Sequence, residues 1–208
     1  MKDGHFGGFY GRKVNLRPNR FEIQRKLRKL LSKTQKAMRL AYCIHALNLS
    51  GGIERVLTTK ANYLADVLGH EVHIITARQK GRKECFRLSD RIVRHDLDAN
   101  DRMFLHKYRR RLGALLGTIR PDITVTVCDN SLYALTGCDD GSVKVGEFHF
   151  SHEKFMMKYG TGALGRAYAE FRTRRLERAV RKLDRFVVLT KADKEDWEKV
   201  RPDVEQIY

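Results

Sequence analysis

From residue 39 onward the apolar positions of this chain switch repeatedly between two patterns. Short, nearly continuous apolar runs are what parallel strands buried on both faces carry, and they fall at residues 39–45, 71–76, 92–95, 122–128, 143–149 and 185–190. Between them, apolar residues recur every three or four positions at 54–68, 101–119, 131–136, 163–183 and 191–200, which read as helices. In the first helix Val56, Leu57, Leu64 and Leu68 should face inward, and Gly69 is placed to cap its end. Residues 77–90 form a polar, basic loop. Strands alternating with helices predict the α/β class with a doubly wound parallel sheet, whose ligands bind at the carboxyl ends of the strands.

The first strand leads through Ser50-Gly51-Gly52 straight into a helix. Glycines let the backbone approach a ligand, and the first amides of a helix point outward unpaired, so this order suits a phosphate cradle. A plain tight turn is the other reading. The spacing narrows the chemistry. A dinucleotide fingerprint needs GxGxxG and an acidic residue closing the second strand, whereas this strand closes on Thr76-Ala77-Arg78. There is no GxxxxGK[ST], which removes P-loop kinases, and Ser131 lacks the GxSxG elbow of hydrolases.

Further candidates lie at other strand ends. His149 sits where the strand at 143–149 should leave the sheet, either as a functional group or as a structural histidine. Glu147 would share its face, but no third metal ligand is evident, so no metal is expected. Asp129 and Asn130 follow the strand at 122–128, where they could meet a ligand or simply form a turn. His152, Glu153 and Lys154 fall in a loop beyond His149.

Composition adds bounds. The 208 residues suffice for one ordinary domain. No apolar run approaches the roughly 18 residues of a membrane span, and no signal peptide is evident, so a cytoplasmic location is expected. Cys43, Cys85, Cys128 and Cys138 form no CxxC pair; Cys43 and Cys128 fall in expected core strands. Residues 1–37 hold 11 of the 42 Lys/Arg against only Asp3 and Glu22. They read as a partly disordered basic extension with a short amphipathic helix at 21–36, suited to an anionic membrane or merely solvated. Met38 is an alternative start to Met1. Arg109, Arg110, Arg111, Arg172, Arg174, Arg175, Arg178 and Arg181 make two helices strongly basic. Such faces suit phosphate groups, but no aromatic stacking platform accompanies them, and nucleic acid is not the expected partner.

Met38 to Leu47, Ser50 to Leu57, Ala61 to Ala65 and Leu68 to Thr76 together resemble the opening of family 4 retaining glycosyltransferases. Arg120 to Val125, Lys144 to His149 and Leu183 to Asp193 resemble the same family at the right intervals. The resemblance covers residues 38–208 and implies the acceptor-side, Rossmann-like half of a GT-B architecture. It implies transfer of a sugar from a nucleotide-sugar to a glycan or lipid-linked acceptor, with no metal or other cofactor. By that resemblance Ser50, Gly51, Gly52 and Glu54 line the donor diphosphate and reaction centre, and His149 reaches toward the transferred sugar; Asp129, Asn130 and His152, by their position after the strand ends, are candidates for the acceptor or ligand edge. The family's carboxy-terminal donor domain, with its paired glutamates, has no counterpart in these residues. The expectation is an incomplete enzyme, inactive alone: a truncated product, a fragment, or the partner of a separately encoded donor domain. A non-catalytic module docking on a membrane or protein is the alternative.

Overall fold

Seven parallel strands build one sheet in the order β3-β2-β1-β4-β5-β6-β7, seen in a computed structural model that describes residues 36–99 and 105–206. The strands are β1 (Arg39–Ile44), β2 (Glu71–Thr76), β3 (Val93–Asp96), β4 (Ile123–Thr126), β5 (Val143–Phe148), β6 (Arg185–Val188) and β7 (Glu205–Gln206). The helices are α1 (Gly52–Asn62), α2 (Leu105–Ile119), α3 (Asp129–Leu135), α4 (Lys154–Tyr159), α5 (Gly162–Val180) and α6 (Lys191–Glu198). Strand order reverses between β1 and β4, so the crevice that doubly wound sheets offer to ligands opens there. The expected α/β fold is the observed one. The expectations for residues 1–35 lie outside the described residues.

Alternation along β1 sets the two faces. Leu40, Tyr42 and Ile44 pack with Leu57, Ala61 and Ala65 beneath α1, while Ala41 and Cys43 meet Tyr108, Leu112 and Leu116 of α2. A third cluster joins Phe148, Leu176, Phe186 and Trp197 around β5 and β6. Trp197 is fully buried, edge-on to Phe148 and Phe186. Its helix is held at the start by Thr190, whose Oγ1 accepts from the Asp193 amide at 3.1 Å. Thr190→Ala should therefore destabilise the domain by about 1 kcal/mol, read from urea unfolding followed by Trp197 fluorescence.

Several boundaries differ from the expected ones for local reasons. Helix α1 starts two residues early and ends at Asn62, giving way to a π-helical turn over Tyr63–Val67. There the amide of Leu68 reaches back to Tyr63 at 3.2 Å, and the buried residues along the whole segment are Leu57, Thr58, Ala61 and Ala65. Of the four residues expected to face inward only Leu57 is buried; Val56, Leu64 and Leu68 are half-buried. Asn62 marks the change, its side chain taken by the Arg87 carbonyl and Ser89 amide. Gly69 does close the segment, at φ +72.

Strand β4 stops at Thr126, so Cys128 lies beyond the strand, half-buried at the N-cap of α3. Asp129 and Asn130 are thus the first turn of a helix rather than a loop turn, where a carboxylate complements the helix dipole. The loop expected at His152 to Lys154 runs into α4, too short for any period to show. Close approach between α4 and α5 rests on Gly165, where a Cβ would strike the Tyr159 carbonyl. Strand β7, two exposed residues, carries no apolar signal.

Candidate functional site

The turn after β1 brings Gly51 to α1 in ordinary extended backbone, φ −77 and ψ 164. No side chain caps the helix, whose first hydrogen bond back to the turn runs from the Arg55 amide to the Gly51 carbonyl at 3.2 Å. The amides before Arg55 lack intrahelical partners and carry the positive end of the dipole. Glu54 lies in that first turn and folds its carboxylate against Gly51, so that a Cβ at Gly51 would strike it. Gly52 differs: a Cβ there would meet no atom of this chain within 4 Å. Ser50 and Gly52 are both exposed.

On the same face of the sheet, β5 ends in a charged group. Glu147 Oε1 lies 3.1 Å from His149 Nε2, and Glu147 Oε2 lies 2.5 Å from Lys60 Nζ of α1. The Glu147 and His149 side chains are only 8% and 6% exposed, whereas Lys60 is 30% exposed. Burial alone would raise the Glu147 carboxyl, but hydrogen bonds from His149 and Lys60, and their charges, hold it below its ordinary value. Tyr42 of β1 feels both burial and the Glu147 charge, and its hydroxyl is pushed well above the usual range. A carboxylate that accepts from one imidazole nitrogen fixes the ring's orientation and leaves the other nitrogen for chemistry. Among the described residues no third His, Cys, Asp or Glu joins this pair as a metal-ligand set.

The other candidates lie on a second wall. Asp129 Oδ2 lies 3.1 Å from Lys154 Nζ and 3.9 Å from Arg172 Nη2, and Asn130 lines the same cavity. His152 does not join them. Its Nε2 lies 3.0 Å from Glu177 Oε1, its ring stands edge-on to Trp197, and it lines a separate cavity with Met156 and Glu177. Two arginines of the basic run on α2 have structural partners: Arg109 binds the Gly137 carbonyl, and Arg111 those of Leu97 and Asp98.

Sequence reasoning did not single out Lys60, which meets Glu147 across 87 positions. Its only trace is a cation beside the inward Ala61. Arg172 was one of a run, distinguished from Arg174 and Arg178 only by lying four residues after Tyr168, whose hydroxyl it meets at 3.0 Å.

A parallel sheet with a helix opened by glycines at its switch point is a Rossmann-like domain of the kind that forms half of a GT-B architecture. The chain belongs to Glycosyltransferase Family 4, whose model matches residues 50–208. No curated protein sequence matches it significantly. Among the described residues, no helix is long and apolar enough to cross a membrane.

Proposed function

We propose that this domain is the acceptor-side half of a retaining glycosyltransferase that moves a sugar from a nucleotide-sugar to a glycan or lipid-linked acceptor. The observation that carries this reading is the buried Glu147–His149 pair at the end of β5, on the face covered by α1, in a chain of this family. The uncapped start of α1 receives the donor diphosphate, whose negative charge grows as the sugar leaves. His149, oriented by Glu147, hydrogen-bonds the transferred sugar. Ser50, Gly51 and Gly52 form the wall beside it, and Glu54 fixes the turn. A second Rossmann-like domain, on the same or another polypeptide, holds the nucleotide.

The test is a transfer assay over a panel of nucleotide-sugars and acceptors, with the donor-side domain supplied, and the product's anomeric configuration read by NMR. Retention is expected, with transfer lowered by His149→Ala in a chain that stays folded. Inversion, or full activity of the His149→Ala chain, would overturn the reading.

A further inference from the structure

Beyond the Glu147–His149 pair, the described residues hold a second concentration of charge with a cavity attached. Asp129 and Asn130, the first residues of α3, and Lys154, Phe155 and Lys158 of α4 enclose, with Arg172 of α5, a volume of about 410 Å³. That is within the size of small-ligand sites. Helices α3 and α4 follow β4 and β5, so the cavity belongs to the carboxyl side of the sheet.

Three cations face one carboxylate here. Aromatic rings hold them in place: Lys154 Nζ sits 3.3 Å from the Phe150 ring centre, and the Arg172 guanidinium 4.6 Å from that of Phe155. Lys154 also lies 4.8 Å from the Phe155 ring, so one ring carries two like charges. Asp129 answers both through a single oxygen, Oδ2. The surplus of two positive charges matches a phosphomonoester, which carries between one and two negative charges near neutral pH. Arg172 retains N–H groups beyond those used on Tyr168 and Asp129, and a guanidinium fork suits phosphate oxygens. Lys158, exposed at the rim, can close over the ligand.

We propose that the Lys154–Lys158–Arg172 cavity binds a phosphate group carried by the acceptor, anchoring it beside the reaction centre at the end of β5. Assignment of the phosphate to the acceptor rests on the glycosyltransferase reading; binding itself does not. A soluble sugar phosphate and a lipid headgroup are the two sources of such a group, and the test separates them. Beside the cavity, Leu164, Tyr168 and Phe171 make an exposed apolar stripe along α5 on which a lipid chain could lie.

The test is calorimetric titration of the 208-residue chain with glycerol 3-phosphate, and flotation with phosphatidylcholine vesicles with and without phosphatidic acid. Lys158→Glu, at an exposed position, and Arg172→Gln, checked for folding by circular dichroism, should each weaken phosphate binding roughly tenfold or more. Arg178→Gln, an exposed charge on the same helix, should change it less than about twofold. Binding of glycerol 3-phosphate identifies a soluble source. Flotation that needs phosphatidic acid and fails in Lys158→Glu identifies a lipid one. Equal loss in Arg178→Gln would make the effect a diffuse field, and no saturable binding to either probe would also overturn the proposal. Sugar transfer that persists without phosphate binding would remove this inference and leave the glycosyltransferase reading standing. Phosphate binding without transfer would do the reverse.

Discussion

Glu147→Ala should cost the domain about 3–5 kcal/mol, because it leaves Lys60 and His149 facing a buried gap where a carboxylate satisfied both. The Glu147 side chain is nearly inaccessible, and its two oxygens serve different partners, 3.1 Å and 2.5 Å away, so neither contact replaces the other. Glu147→Gln keeps the volume and one acceptor, and should lose less. The pH dependence separates charge from packing. Since the folded carboxyl is held below its ordinary value of 4.5, its contribution is complete above that value and disappears as pH falls through the folded value. Urea unfolding across the acid range should therefore show the wild-type chain losing stability below about pH 4.5, with a weaker loss in Glu147→Gln. If both variants lose stability over that range as steeply as the wild type, Glu147 is not the group responsible. If His149 serves the proposed transfer, Glu147→Gln should also lower it beyond the effect on stability, because the ring loses the anion that orients it.

How much of this could be read from the sequence follows from how local each signal is. The strand at 71–76 was legible to the residue because it is an apolar run on both faces, bounded by Gly69 and by the polar loop after Ala77. The glycine turn and the end of β5 were legible because position along a strand fixes which edge a residue occupies. The pairing of Lys60 with Glu147 was not, since it depends on where α1 crosses the sheet, and helix packing is not written within either segment. The start of α3 was missed for a different reason. Asp129 and Asn130 favour turns and helix starts alike, so residue type alone leaves the choice open, and the cations that meet Asp129, Lys154 and Arg172, lie far along the chain. His152 carried the same chemical signal as His149. The fold separates them by their partners, Glu177 and Trp197 for His152 and Glu147 for His149, none of which the residue type announces.

Gly52→Ala should leave the domain folded and up to about 1 kcal/mol more stable, yet lower sugar transfer on the order of a hundredfold. The two halves of this result have separate origins. Gly52 is the first residue of α1, and a Cβ there meets nothing in this chain, so alanine only removes freedom from the unfolded state. Gly51 offers no such contrast, because a Cβ there meets the Glu54 carboxylate, which must swing aside. If the amides at the start of α1 stabilise the leaving diphosphate, that empty space is where its oxygens must come. A methyl group there would hold them away from the donors in the step where their charge is greatest. Thermal unfolding of the 208-residue chain measures the first half, and transfer with the donor-side domain supplied measures the second. A Gly52→Ala chain that is stabilised and transfers sugar at the wild-type rate would make the turn an ordinary entry to a helix, and the open space in front of it would need another occupant.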